Sequence, residues 1–181
     1  MSTLVLESSL GSQYEDSPAS YEFPAQYLRF FQGVSYPLYA VLYEPRGDDG
    51  SGRMKYLGWA EIAGPPIPTG RRSRSGRELY TVFYSRPAEP FDEAVPREIL
   101  GEPIETWLRR YDRGRARNVA TFGRAVRPLT DEDFQRIMEL GGARSLELEG
   151  YLPGPEHAVP LVASRERSEV LVARMSRLLL K

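Results

Sequence analysis

Two neighbouring segments carry the strongest signal for a sheet: Leu38-Tyr-Ala-Val-Leu-Tyr43 and Lys55-Tyr-Leu-Gly-Trp-Ala-Glu-Ile-Ala63. Both are dense in aromatic, β-branched and other apolar residues, a composition that is typical of buried strands. The segment between them, Glu44–Arg53, contains one Pro, three Gly and two Asp, so it is predicted to be a turn. Together these residues predict a β-hairpin.

Further short elements are predicted on both sides of this hairpin. Tyr21–Phe23 and Glu78–Arg86 have the composition of strands, and Gln26–Phe31 is predicted to be a short helix after Pro24. Thr121–Arg127 is predicted to be another strand. The resulting fold class is α+β, a small curved sheet or pseudo-barrel flanked by short helices.

A second helix is predicted after Thr130, which is a good N-cap residue with Asp133 as its reciprocal partner. Gly141 and Gly142 are expected to end it. Two segments are predicted to lack regular structure. Gly64–Arg77 combines three prolines with an arginine-rich run, and Pro87–Pro96 begins and ends with proline.

The length of 181 residues fits one domain with additional segments. Residues 1–20 are Ser-rich and acidic without periodicity, which predicts a flexible N-terminal arm. Residues 21–142 are predicted to form the folded domain. Residues 143–181 contain Pro and Gly and then an apolar stripe, which predicts a linker and a C-terminal helix.

The composition excludes several kinds of active site. The chain has no cysteine and only one histidine, so thiol nucleophiles, zinc–thiolate sites and His-rich metal centres are excluded. The carboxylates show no metal-ligand or acid–base spacing, and Gly50-Ser51-Gly52 lacks the residues that complete a phosphate-binding loop. We therefore expect no catalytic residue, no metal and no cofactor. No membrane span or signal peptide is apparent, and a cytoplasmic location is expected.

The net charge of −1 conceals an uneven distribution, with −4 over residues 1–45, +5 over 46–130 and −2 over 131–181. Two clusters are most basic: Arg71, Arg72, Arg74 and Arg77, and seven arginines between Arg109 and Arg127. Such clusters suit an anionic partner, most commonly a phosphate backbone. The alternative is that they are solvated loops in a chain that uses arginine for nearly all its basic residues.

The 20 aromatic residues are concentrated in the first third of the chain. Aromatic rings beside arginine-rich loops suit stacking on nucleobases combined with phosphate contacts. A base flipped out of a duplex needs a wall on each face and a polar group at its edge. The alternative is that most of these rings belong to the core.

Four segments resemble one known family: Tyr21-Glu-Phe-Pro-Ala-Gln-Tyr27, Leu42-Tyr-Glu-Pro-Arg46, Tyr56-Leu-Gly-Trp-Ala-Glu-Ile62 and Ala125–Ile137. In order and spacing they are similar to the N-terminal domain of bacterial modification-dependent HNH restriction endonucleases. That domain belongs to the PUA-like group, which includes EVE, YTH and SRA domains. The resemblance covers about residues 21–140. It implies a PUA-like curved sheet that binds duplex DNA and tests a flipped base in an aromatic pocket.

The resemblance also implies positions for the site. The base pocket is expected to involve Tyr21, Phe23, Pro24, Tyr27, Tyr43 and Trp59. The DNA backbone is expected to contact Arg71, Arg72, Arg74, Arg77, Arg113, Arg115 and Arg117, an assignment that rests on charge. HNH chemistry needs several histidines, so the nuclease part is expected to be absent and a nuclease subunit is a further expected partner.

The sequence favours a reader of a modified base in duplex DNA, with 5-methylcytosine or 5-hydroxymethylcytosine ahead of N6-methyladenine. An RNA-binding PUA-like module is an alternative, since stacking and basic loops would serve it equally. A small enzyme acting on a nucleotide is a less favoured alternative, because the chain lacks the corresponding motifs.

Overall fold

The computed structural model describes residues 3–8, 14–45, 54–108 and 125–143 of the chain. The chain divides into two compact units, Met1–Ala143 and Arg144–Lys181. The second unit lies outside the described residues, as does the predicted C-terminal helix. The architecture below is that of the first unit.

The larger sheet has five strands: β1 (Thr3–Glu7), β3 (Leu38–Glu44), β4 (Lys55–Ile62), β7 (Glu89–Pro96) and β10 (Val126–Leu129). Their order is β10-β1-β3-β4-β7. The predicted hairpin is confirmed as β3 and β4, which pair antiparallel with Val41 opposite Trp59. Of the strand pairs in the described part of the chain, only β1 and β3 run parallel.

The N-terminal segment corrects the prediction of a flexible arm over residues 1–20. Thr3–Glu7 is strand β1, which lies between β10 and β3, and Leu4, Val5 and Leu6 are almost completely buried. Its apolar residues are consecutive rather than alternating, as expected for a strand covered on both faces. A five-residue strand between Ser-rich neighbours has too little periodicity to be recognised in the sequence.

The smaller sheet has three strands in the order β2 (Ser20–Pro24), β6 (Glu78–Phe83) and β5 (Ile67–Arg72). Backbone hydrogen bonds join it to the larger sheet near the end of β4. Ala63 N donates to Phe83 O at 2.9 Å, and Ser85 N donates to Glu61 O at 2.8 Å. The two sheets thus form one curved surface, and the predicted α+β class is confirmed.

Strands β5 and β7 correct the prediction that segments 64–77 and 87–96 are irregular. Both are edge strands, in which only one side of the backbone pairs with a neighbour. Proline is tolerated there because its missing N–H can face away from the sheet, as with Pro68 opposite Tyr80. Strand β7 also approaches β4 closely: a Cβ atom on Gly58 would lie 2.3 Å from Glu89 O.

Two helices flank the sheets among the described residues with both ends defined: a 3₁₀ helix (Ala25–Phe31) and α1 (Asp131–Leu140). The predicted cap of α1 is confirmed, since Asp133 N donates to Thr130 Oγ1 at 3.1 Å. The reciprocal bond is not formed. Asp133 instead accepts hydrogen bonds from Thr106 N and Thr106 Oγ1, both at 2.8 Å, which ties α1 to residues 106–108.

Two short strands, β8 (Glu98–Ile99) and β9 (Glu102–Pro103), form a small hairpin before residues 106–108, which are helical. Strand β10 begins at Val126, later than predicted, and residues 121–124 lie outside the described part. Within the described ranges, no helix has both the length and the apolar character needed to span a bilayer.

The position of β1 predicts that the N-terminal residues are essential for folding. Leu6→Ala should lower the free energy of unfolding by about 2–5 kcal/mol, because it leaves a cavity at a fully buried position. Urea denaturation followed by circular dichroism would measure the loss. Leu140→Ala, the same substitution at a side chain that is 45% exposed, is the control. Similar small losses for both variants would contradict the central role of β1.

Candidate nucleic-acid interface

The turn between β5 and β6 presents the first arginine cluster on a well-defined loop, here called the arginine hairpin (residues 71–77). Ser73 N donates to Arg77 O at 2.7 Å, and Gly76 N donates to Ser73 O at 2.8 Å. The Ser73 hydroxyl accepts a further bond from Arg77 N at 3.1 Å. Gly76 has a φ of +78°, a left-handed conformation that glycine adopts without strain. The loop is therefore held by its own hydrogen bonds.

All four arginines are exposed on this hairpin: Arg71, Arg72, Arg74 and Arg77. Arg72 Nη1 donates to Gly76 O at 3.0 Å, and its guanidinium has further N–H groups that can donate to a ligand. Exposed guanidinium groups held close together on a rigid turn can each donate two parallel hydrogen bonds to a phosphate. The geometry therefore suits an anionic surface.

Arg71 has a different environment. Its Nη1 lies 2.7 Å from Glu15 Oε2 and 3.2 Å from Glu22 Oε1, and the Glu22 side chain is only 3% exposed. This arginine is paired with two carboxylates and links β5 to the segment before β2. The predicted phosphate contacts Arg113, Arg115 and Arg117 lie outside the described residues.

The predicted base-pocket residues fall into separate clusters. Tyr21, Phe23, Pro24 and Tyr27 are buried around β2 and the 3₁₀ helix. The Phe23 ring is stacked on Phe31 at a centroid distance of 4.7 Å. The Tyr21 hydroxyl is within 2.9 Å of both Glu7 O and Ala125 O, and Tyr27 Oη accepts from Ala125 N at 3.2 Å. These rings therefore pack the core and bond the ends of β1 and β10.

Tyr43 and Trp59 lie on the larger sheet instead. The Tyr43 ring is 5.3 Å from that of Tyr56, and the Arg127 guanidinium stacks over it at 4.9 Å. Trp59 is 6.2 Å from Tyr39, which in turn is 6.0 Å from Phe134 of α1. In the described structure, the six predicted residues therefore do not line a single pocket.

Charged side chains lie close to the Trp59 ring. The Arg86 guanidinium stacks over its ring at 4.8 Å, and Arg86 Nη1 lies 3.0 Å from Glu89 Oε1. Burial and the charge of Glu61 raise the pKa of Tyr39, while Arg86 lowers it, so these groups lie within electrostatic reach of one another. We call Tyr39, Trp59, Glu61, Arg86 and Glu89 the Trp59 cluster.

A second polar group, the buried ion network, lies inside the domain. Arg127 donates from Nε and Nη2 to the two carboxylate oxygens of Glu105 at 2.9 and 2.7 Å. Glu105 also accepts from Tyr56 Oη at 2.6 Å and from Trp107 Nε1 at 2.7 Å. Glu7 Oε1 lies 3.2 Å from Arg127 Nη1.

The protonation of the network follows from these contacts. Burial acts to raise the pKa of Glu105, but the charge of Arg127 and the hydrogen bonds from Arg127, Tyr56 and Trp107 bring that pKa below its ordinary value. Burial raises the pKa of Glu7 from 4.5 to about 7, against the opposing charge of Arg127. Glu105 is thus the permanent anion of the network, and Glu7 is the titrating group.

Sequence reasoning did not identify Arg86, Glu61, Glu89 or the Glu105–Arg127 pair. Glu61 had a usable signal, because residues two apart in a strand share a face and Glu61 follows Trp59 by two. Arg86 and Glu89 reach Trp59 from beyond the end of β6 and from β7, which no local pattern indicates. Among the residues that the structure describes, no group of three or more acidic or histidine side chains is placed to hold a metal ion.

Comparisons with known proteins give structural likenesses only. No protein-family model matches the chain, and no curated protein matches its sequence. The solved structure of human THYN1 in complex with 5-methylcytosine-containing DNA is 13% identical, with a TM-score of 0.46. It covers 78% of this chain and 98% of the human one.

Two bacterial proteins are similar to the same degree. Rpa0253 of Rhodopseudomonas palustris has a TM-score of 0.46 at 16% identity, covering 84% of this chain and 100% of its own. Atu2648 of Agrobacterium tumefaciens has a TM-score of 0.46 at 14% identity, covering 80% and 96%. At these scores the function has to be inferred from the residues of this chain.

The raised pKa of Glu7 predicts a pH-dependent stability. The folded state disfavours the ionised carboxylate of Glu7. The stability that protonated Glu7 contributes is therefore complete below about pH 4.5 and is lost as the pH rises through about 7. Glu7→Gln should therefore raise the free energy of unfolding at pH 8 by on the order of 2 kcal/mol, with little effect at pH 4.5. Urea denaturation at both pH values would measure this.

Glu139→Gln, which removes an exposed carboxylate from α1, is the control for the change in net charge. If Glu7→Gln and wild type lose the same stability between the two pH values, Glu7 is not the titrating group of the network.

Proposed function

We propose that this chain binds duplex DNA and reads a modified base in it, without a catalytic step of its own. The observation that supports this most directly is the arginine hairpin, where Arg72, Arg74 and Arg77 are exposed on a turn fixed by the Ser73 hydrogen bonds. Contacts of this kind to phosphate supply affinity that is independent of sequence and falls with salt. They position the protein on the duplex, and a second site has to read the base.

We place the base-reading site at Trp59, which narrows the six-residue pocket predicted from the sequence. Tyr21, Phe23, Pro24, Tyr27 and Tyr43 are engaged in the core or in the buried ion network. Trp59 combines a large π face with a partly exposed tyrosine neighbour, and Glu89 lies opposite it in the pairing of β4 with β7; an aromatic face and polar groups are the components that recognition of a flipped base requires. Stacking on such a ring is worth about 1–3 kcal/mol per base.

The resemblance of residues 21–140 to PUA-like readers in restriction endonucleases is what favours modified DNA over RNA. A nuclease acting on the same DNA is the partner that this resemblance suggests, and the cytoplasm is the corresponding compartment. The modified base of the human THYN1 complex, 5-methylcytosine, is the first probe to use.

Substitution of the arginines of the arginine hairpin is expected to weaken the binding of all duplexes equally. The double variant Arg74→Gln/Arg77→Gln should bind modified and unmodified DNA roughly tenfold more weakly and lower the slope of log K against log salt by about two. Fluorescence anisotropy at several salt concentrations would measure both. Arg29→Gln/Arg136→Gln, with the same change in net charge at two other exposed arginines, is the matched control.

A loss confined to the modified duplex would show that the hairpin reads the base rather than the phosphates. Equal losses for the hairpin variant and the control variant would indicate a nonspecific effect of net charge. Preferential binding of single-stranded RNA by the wild-type protein would favour the RNA-binding alternative.

Trp59 predicts the selectivity for the modified base. Trp59→Ala would remove a ring that is only 4% exposed and cost about 3–5 kcal/mol of stability, so Trp59→Leu, which keeps an apolar side chain, is the better variant. We expect Trp59→Leu to bind the modified and the unmodified duplex with equal affinity, while the salt dependence of binding stays unchanged. Phe91→Leu, at another buried ring, is the control for lost packing.

Retention of the full preference in Trp59→Leu would rule out Trp59 as the base-stacking residue. Loss of the preference in Phe91→Leu as well would assign the effect to weakened packing.

A further inference from the structure

The face of Trp59 is already occupied by a side chain of the protein. The Arg86 guanidinium lies 4.8 Å from the ring centroid of Trp59, and its Nη1 lies 3.0 Å from Glu89 Oε1. The Arg86 and Glu89 side chains are 49% and 47% exposed. Trp59, in contrast, is almost completely buried. Arg86 is therefore a surface group that lies over a ring of the core.

The contacts that hold Arg86 in place are weak ones. Ion pairs between exposed side chains contribute little to stability, because water and salt screen them. A cation over an aromatic ring at an exposed position adds only a modest attraction. The guanidinium can therefore leave the ring at small cost when another group competes for it.

We infer that Arg86 is an internal occupant of the base site, which a base with an exocyclic amino group displaces from Trp59. This inference rests on the proposed function. A guanidinium is planar and carries N–H donors in its plane, and that of Arg86 lies over Trp59 while it forms an ion pair with Glu89. Cytosine and adenine bases share those two properties, a flat π face and an amino group at the edge, so either can replace both contacts at once.

The charges around the ring select against other ligands. Glu89 lies opposite Trp59 in the pairing of β4 with β7, and Glu61 follows Trp59 by two residues on the same strand. Once Arg86 has moved away, these two carboxylates accept hydrogen bonds and repel anions. The site therefore suits an amino-bearing base, while phosphate groups are expected at the arginine hairpin.

When a side chain of the protein occupies the site, a ligand binds only to those molecules in which the site is open. The apparent association constant is then the intrinsic constant multiplied by that open fraction. Removing the Arg86 side chain should remove that loss. The matched control is Arg29→Ala, because Arg29 also stacks over an aromatic ring, that of Phe30, at 4.8 Å, and carries the same charge.

The first measurement is the acrylamide quenching of tryptophan fluorescence in the free protein. Trp107 is present in every variant, so a difference between variants reports on Trp59. We expect Arg86→Ala to raise the quenching constant about twofold over wild type, because the stem and head of an arginine shield the surface beneath them. We expect no change in Arg29→Ala. Equal constants for the two variants would overturn the assignment of Arg86 as a cover.

The second measurement is the affinity for a duplex with one central 5-methylcytosine, at fixed salt. Arg86→Ala should bind about fivefold more tightly than Arg29→Ala, since both lack one positive charge and only the former has an open site. Binding no tighter than that of Arg29→Ala would show that Arg86 does not compete with the base.

The amino group is tested with 5-methylcytosine and thymine, which carry the same methyl group and differ in the group at C4 and in the proton on N3. Each is placed opposite an abasic site, so that no base pair has to be broken. Wild type should prefer 5-methylcytosine, and Glu89→Gln should reduce that preference at least threefold, because the charged acceptor is lost. Equal binding of both bases by wild type would overturn the assignment of an amino-bearing ligand.

The two levels of the proposal fail in different ways. If no duplex binds to the wild-type protein, the proposed function fails and the base assignment fails with it, while the quenching result still decides whether Arg86 covers Trp59. If duplexes bind but Arg86→Ala behaves as Arg29→Ala in both measurements, the proposed function stands and the inference about Arg86 is wrong.

Discussion

The ion pair between Arg127 and Glu105 is the interaction on which the packing of the domain depends. Both side chains are almost fully buried, at 3% and 0% exposure. Burying two charges costs more than their attraction returns unless the geometry is good and the remaining polar atoms are bonded. Here the pair is bidentate, and Tyr56 and Trp107 donate to the same carboxylate. The network links β10, β4 and the segment after β9, and Glu7 adds β1.

This internal network contrasts with the position of the groups that we assign to binding. The arginine hairpin projects from an edge strand of the smaller sheet, and Arg86 follows the end of β6. Such peripheral segments are where binding residues are usually found, because the sheet holds them while they stay accessible. Trp59 lies between the core and the exposed binding residues, since its ring is buried and the half-exposed Arg86 lies over it.

The uneven charge of the sequence is partly cancelled by folding. Acidic residues from the first 45 positions meet arginines from the basic middle of the chain, as Glu22 does with Arg71 and Glu7 with Arg127. Each of these arginines therefore has part of its charge balanced by a carboxylate of the same chain. The charge available to a polyanion within the described residues is therefore smaller than the sequence count of +5 over residues 46–130, and it is concentrated at the hairpin tip.

Local sequence was sufficient for those features that depend on neighbouring residues. The β3–β4 hairpin, a short helix after Pro24 and the Thr130 cap were all predicted, because strand composition, proline geometry and capping act within a few positions. The α+β class followed from the sum of such elements. Strands β1, β5 and β7 were missed. The short strand β1 is defined by its pairing with β10 and β3, which are distant in the sequence. The edge strands β5 and β7 tolerate prolines, which elsewhere indicate the end of a strand.

The sequence by itself determined which residue types are available for function: arginine clusters and aromatic rings, with no cysteine and one histidine. Only the tertiary structure decided which of them are free to act. It buried Tyr21, Phe23 and Tyr43, paired Arg71 with two carboxylates and laid Arg86 over Trp59. The physical reason is that burial and pairing are contacts between residues far apart in the chain, such as Glu7 and Arg127, which are 120 positions apart, and no local pattern records them.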